Sequence, residues 1–163
     1  MRRSNRRAPN RGTRKAAPPP QVLARVRRQK DGYLAARRQH ASEIAEDYVE
    51  LIDELIREQG EARSVDMAER LGVSHVTVAK TVQRLRRDGL VQTQPYRAIF
   101  LTPQGQKLAA DCRSRHDLVV AFLRALGVRE ETAQRDAEGI EHHVSDETLR
   151  AMRDVVSRTR RDR

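Results

Sequence analysis

The chain has one cysteine, no tryptophan, three tyrosines and two phenylalanines in 163 residues. A lone cysteine excludes an intrachain disulfide. Cys112 falls on an apolar helical stripe, where a thiol serves as a small buried hydrophobe. So few aromatics exclude a large core and suit one or two small helical domains. No apolar run approaches the roughly 18 residues that span a bilayer, and no hydrophobic segment follows the N-terminal arginines as it would in a secretory signal. The expectation is a soluble, cytoplasmic protein with no membrane partner. Acid is missing from residues 1–30, which hold eleven Lys or Arg, while the whole chain carries a formal net charge of +10. Residues 31–163 are therefore close to neutral, and any nucleic-acid reading must rest on local clusters of cations.

What is present divides into three parts. Residues 1–41 read as a basic arm without fixed structure, rich in Arg with Pro18-Pro19-Pro20, suited at most to salt-sensitive phosphate contacts; residues 22–41 are ambiguous, with a frayed helix as one reading. A first helix is expected from Ser42 as N-cap to Gly60, its core face made by Ile44, Tyr48, Leu51, Ile52, Leu55 and Ile56. Beside that face runs an acidic stripe, Glu43, Asp47, Glu50 and Glu54. Like charges four apart oppose one another by a few tenths of a kcal/mol per pair, so the stripe needs either solvent or a cation.

Residues 64–101 carry the strongest local pattern. Ser64–Leu71 is a short helix ended by Gly72, and Ser74 caps a second helix that runs to about Asp88. This is a helix-turn-helix. Val78, Val82 and Leu85 face inward. Ser74, His75, Thr77, Lys80, Arg84 and Arg87 are the candidates for DNA, short polar groups at the helix entrance where bases are read and cations behind them along the phosphates. The alternating segments on either side of Gln94-Pro95-Tyr96-Arg97 form a hairpin, which makes the unit a winged helix with Arg97 at the wing tip. Residues 42–101 are thus a winged helix-turn-helix, and 102–163 an all-helical domain; the fold class is mainly α with one small hairpin. Thr102-Pro103 starts a long helix to about Leu126, with Leu108, Cys112, Val119, Leu123 and Leu126 along one side and His116 at its edge. A helix over 131–144 and a last one capped by Ser145 complete the chain.

In Asp136-Ala-Glu-Gly-Ile-Glu-His-His-Val144, Glu138, Glu141 and His142 stand at i, i+3 and i+4, beside the apolar stripe Ala133, Ala137, Ile140 and Val144. Such a set is usually solvated. At the edge of a buried face, however, a divalent cation would offset the carboxylates and accept the imidazole lone pair. His143 points nearly opposite. A binuclear hydrolase would need an open coordination position beside a substrate cleft, for which this chain leaves little room. No small organic substrate is expected, and the protein is expected not to be an enzyme.

Several strings, in order, resemble the manganese transport regulators of the diphtheria toxin repressor family: Glu46-Asp-Tyr-Val-Glu-Leu-Ile52, Leu71-Gly-Val-Ser-His-Val-Thr-Val-Ala-Lys80, Leu101-Thr-Pro-Gln-Gly105, Arg115-His116, and residues 136–144. The resemblance spans about residues 42–157. It implies a binuclear Mn²⁺ site, two ions per chain, made by Asp47, Glu50, His116, Glu138, Glu141 and His142, in a homodimer that binds a palindromic operator in double-stranded DNA and represses manganese uptake genes. The iron-sensing branch is similar but has a Met and a Cys where this chain has Asp47 and Glu138, so the harder donors favour Mn²⁺ over Fe²⁺. An iron-responsive or a metal-independent winged-helix factor is the alternative.

Overall fold

The computed structural model describes residues 19–93 and 98–161, and the chain divides at Arg38 into two units, residues 1–38 and 39–163. Among the described residues there are six helices and one two-stranded sheet: α1 (Pro20–Gln59), α2 (Ser64–Leu71), α3 (His75–Arg87), β1 (Val91–Thr93), β2 (Ile99–Leu101), α4 (Pro103–Ala125), α5 (Glu130–Ile140) and α6 (Asp146–Arg161). No helix among them is long and apolar enough to cross a membrane.

The first helix corrects the inclusion of residues 20–41 in a structureless arm. α1 starts at Pro20, not after Ser42. Residues 21–41 are dominated by Ala, Arg, Gln, Leu and Lys, all good helix formers, and Pro20 occupies the first position, where its missing N–H costs nothing. Ser42 is inside the helix, and its hydroxyl donates to Glu46 Oε1 at 3.4 Å instead of capping. Val22, Leu23, Val26, Tyr33 and Leu34 are exposed along the first half of α1. Residues 1–18 lie outside the described residues.

Residues 39–163 hold two hydrophobic clusters. The first joins Tyr48, Val49, Ile52 and Leu55 of α1 to Met67, Val78, Leu85 and the hairpin residues Val91, Ile99 and Leu101. The turn between α2 and α3 rests on Gly72 with φ of 63°, a left-handed conformation that glycine adopts without steric cost. Ser74 Oγ accepts the Thr77 N–H, the expected cap on α3. β1 and β2 pair antiparallel with Gln92 opposite Phe100, and Ile99 N–H donates to Ala62 O at 2.8 Å, so the wing is hydrogen-bonded to the segment before α2.

The Leu101-Thr-Pro-Gln-Gly105 string has a local physical explanation. Thr102 Oγ1 accepts the Gly105 N–H at 3.1 Å and donates to Gly89 O at 2.6 Å, fastening the start of α4 to the end of the helix-turn-helix. A Cβ on Gly105 would stand 2.1 Å from Leu90 O, so only glycine permits this approach. From there α4 runs from one cluster to the other: Ala109 belongs to the first, while Val119 and Val120 join Ala133, Ala137, Leu149 and Met152 in the second. Cys112, buried between them, is in neither. Leu126, expected on the apolar side of this helix, is exposed because it is the residue after the last helical turn. α5 ends at Ile140 rather than Val144, after the poor helix former Gly139, and Glu141–His143 form a turn before α6.

Candidate metal centre

α1 carries Glu46, Asp47 and Glu50 on its polar side, α4 carries Arg115 and His116, and α5 with the turn after it carries Glu138, Glu141 and His142. The packing of α1 and α4 in the first cluster and of α4 and α5 in the second brings these three sets together. A cavity of about 400 Å³ is lined by Asp47, Glu50, His116, Glu138 and Glu141, among others. His116, Glu138 and Glu141 each offer a donor atom within 4.8 Å of the others. His142 is not in the cavity wall but adjoins it, with Nε2 3.2 Å from Asp47 Oδ1 and 3.6 Å from Glu141 Oε1.

Burial is uneven across this set. The Glu141 and His142 side chains are 2% and 5% exposed, whereas Glu138 is 72% exposed. Burial and the crowding of like charge act on the acids: the Glu50 carboxyl is pushed up to about 7 by desolvation first and by Glu141 next, and Asp47 and Glu141 are raised mainly by desolvation. Burial works against protonation of His116, but Gln134 and the Glu141 and Glu138 carboxylates outweigh it and raise the imidazole. His142 is likewise raised, with Glu46 and Asp47 overcoming burial. Carboxyls and imidazoles whose affinity for protons is all raised mark a site where added positive charge is favoured. The donors are carboxylate oxygen and imidazole nitrogen with no thiolate among them, and they fit a hard divalent cation.

All six residues singled out by the resemblance meet at or beside this cavity. Of the two acidic-stripe residues outside that set of six, Glu43 pairs with His40, and Glu54, which also lines the cavity, pairs with Arg70. His143 faces away and its Nδ1 meets Gln39. Sequence reasoning missed Glu46, Arg115 and Gln134 as participants. Glu46 Oε2 lies 2.8 Å from His142 Nδ1 and accepts from Arg115 Nη2 at 2.6 Å. His116 Nδ1 meets Glu141 Oε2 at 2.8 Å, and its Nε2 meets Gln134 Oε1 at 2.9 Å. The adjacency of Glu46 to Asp47 and of Arg115 to His116 was the available clue.

On the candidate DNA face, His75, Thr77, Lys80 and Arg87 are exposed, and the Ser74 and Thr77 hydroxyls are 2.9 Å apart in the cap. Arg84 is half-buried instead of outward, and its Nη2 donates to Ala41 O at 3.4 Å. This follows from the continuation of α1 N-terminal to Ser42, which puts Ala41 within reach. Val76, not anticipated, is 62% exposed beside them; its spacing of four from Lys80 was the available sign. Arg97 lies outside the described residues.

Residues 40–99 match the family described as the iron dependent repressor N-terminal DNA binding domain, and residues 102–163 match its metal binding and dimerisation domain. The transcriptional regulator MntR of Escherichia coli O6:H1 is 55% identical over 131 residues, covering 80% of this chain and 84% of that protein. The HTH-type transcriptional regulator MntR of Geobacillus kaustophilus is 45% identical over 68% of this chain and 79% of its own length. Among solved structures, a manganese-dependent transcriptional repressor in complex with manganese superposes with a TM-score of 0.62 at 32% identity, over 69% of this chain and 52% of that one. ScaR with bound Zn²⁺ gives 0.60 at 27%, over 69% and 53%. The matched part spans about half the length of these solved chains.

Proposed function

Because this chain belongs to the iron-dependent repressor family, that of the diphtheria toxin repressor, we propose that it is a manganese-responsive transcriptional regulator, binding DNA as a homodimer to repress manganese uptake genes in the cytoplasm. The observation that carries the metal part of this reading is the convergence of Asp47 and Glu50 from α1 with His116 from α4 and with Glu138, Glu141 and His142 from the C-terminal part. These six residues are the proposed ligands of two Mn²⁺ per chain. When bound, the ions supply positive charge that lets the crowded carboxylates ionise together. Asp47 and Glu50 belong to the helix that carries the DNA-binding head, while Glu138, Glu141 and His142 belong to the part matched to dimerisation. Without added positive charge the carboxylates repel across this junction, and the heads sample many separations. A dimer reading two half-sites one helical turn apart, roughly 34 Å, requires one separation. Ionised ligands drawn together at the junction raise the population of that arrangement, and the leverage is the difference in affinity between the two states.

On the DNA side, the proposed contacts are Ser74, His75, Thr77, Lys80, Arg87 and the wing residue Arg97, with Arg84 in a supporting place against α1. Val76 adds an apolar surface of the kind that meets a thymine methyl. Titration calorimetry with Mn²⁺ tests the metal reading: about two ions per chain are expected, and fewer than one would favour a metal-independent regulator.

A further inference from the structure

The two imidazoles of the centre face it through different nitrogens. His142 turns Nε2 toward Asp47 Oδ1 and Glu141 Oε1, and its Nδ1 points the other way, to Glu46 Oε2 at 2.8 Å. His116 turns Nδ1 toward Glu141 and Glu138, and its Nε2 is held by Gln134 Oε1 at 2.9 Å. Glu46 is absent from the cavity wall, and among the described residues His142 is the one proposed ligand that its side chain hydrogen-bonds. Its carboxylate is 14% exposed, and the oxygen that meets His142 Nδ1 also accepts from Arg115 Nη2 at 2.6 Å, while Arg115 Nη2 lies 3.2 Å from the buried Cys112 Sγ. A neutral imidazole has one N–H and one lone pair, and the group bonded to one nitrogen decides which nitrogen is free to bind metal.

We infer that Glu46, pinned by Arg115, is a positioning residue for the metal centre: it accepts the Nδ1–H of His142 and thereby leaves the Nε2 lone pair facing Asp47 and Glu141. A carboxylate oxygen that already takes the Arg115 N–H acts as an acceptor, so at this position it selects the Nδ1–H form. Arg115 on α4, itself outside the cavity wall, holds the carboxylate. The relay therefore joins α1, α4 and the turn after α5 through one oxygen, and orients His142 before any cation enters. It rests on the metal-binding reading above, and assigns to Glu46 a role outside the proposed ligand set.

The test uses the full chain and two readouts. Imidazole ¹⁵N NMR of the metal-free protein, at a pH where the ring is neutral, reports the His142 tautomer; calorimetry reports Mn²⁺ affinity. Wild type is expected to hold His142 as Nδ1–H. Glu46→Ala is expected to shift it toward Nε2–H and to weaken Mn²⁺ binding by about 10- to 100-fold. Glu46→Gln, whose amide oxygen still accepts, is expected to keep the tautomer and lose less affinity. A wild-type His142 in the Nε2–H form, or an unchanged tautomer in Glu46→Ala, overturns the inference. So does a Glu46→Gln variant that keeps the tautomer yet loses as much affinity as Glu46→Ala, because Glu46 would then be a ligand itself. Should Glu46→Ala not fold, the wild-type tautomer and Glu46→Gln decide. If wild type binds no Mn²⁺, the metal reading fails separately, since the tautomer is measured without metal.

Discussion

Glu50 shows most directly how crowding at the centre couples to pH. Its carboxyl, at 4.5 when unperturbed, is raised to about 7 in the folded chain. Between those values the folded state holds a proton that the unfolded state releases, so the stability tied to Glu50 falls as pH rises through this window. His116 and His142 act in the same sense: both are raised, so their contribution is present below the unfolded value and lost as pH rises through the folded one. The melting midpoint of the metal-free protein should therefore fall between about pH 5 and about pH 7. Because protons compete for the same atoms, the increase in midpoint caused by Mn²⁺ should grow over the same range. Melting curves with and without Mn²⁺ check both, and a metal-free midpoint that rises across the window contradicts the assignment. Donor softness gives a second expectation. Asp47→Met combined with Glu138→Cys should move activation of DNA binding toward Fe²⁺, read by titrating each metal anaerobically; an unchanged metal profile would show that these two donors do not set the preference. At this scale the sequence was informative where residues stood off their own core stripe, as Asp47, Glu50, His116 and Glu138 do. It was silent on Glu46, whose partners Arg115 and His142 are 69 and 96 positions away.

The start of α4 is the element on which the junction depends. Thr102 caps it and ties it to Gly89, and Gly105 lets it touch Leu90 O. Gly105→Ala should destabilise the fold by about 1–3 kcal/mol or more, since the obstructing atom is backbone and cannot swing aside. Thr102→Ala should cost about 0.5–2 kcal/mol through the lost cap. Denaturant midpoints measure both, and a Gly105→Ala chain as stable as wild type would show that α4 can shift without strain. α3 carries a separate expectation: Lys80→Ala should weaken binding similarly for all DNA sequences and reduce the salt slope by about one, as read from affinities at several salt concentrations. Elements with caps and breakers, such as Ser74, Gly72 and Thr102-Pro103, were legible from local chemistry. The N-terminal half of α1 was not, because a helix that starts early leaves its plausible cap, Ser42, in the interior, and a basic composition with clustered prolines resembles an unstructured arm. The end of α5 was missed by four residues, because a 3.6-residue periodicity persists in the residue types through Val144 while the backbone turns after Ile140.

Across the whole molecule, what matters is that metal-type donors lie on both sides of the boundary between the DNA-binding head and the C-terminal helices. Each side has its own hydrophobic cluster, and α4 reaches both. Two cores bridged by one helix allow relative motion of the parts, and the polar junction that spans them is where a cation has most leverage. The type of regulator was legible from the order of motifs; the meeting of α1 with the turn after α5 was not, because it depends on how both pack along α4. The central claim is that occupation of the junction controls DNA binding. Affinity for a manganese-transporter promoter, measured by gel shift or anisotropy at fixed salt with Mn²⁺ and then with EDTA, tests it directly. Binding should be tight with Mn²⁺ and weaker by about 5- to 150-fold without it, the usual span of coupling between two sites; equal affinity in the two conditions would contradict the account.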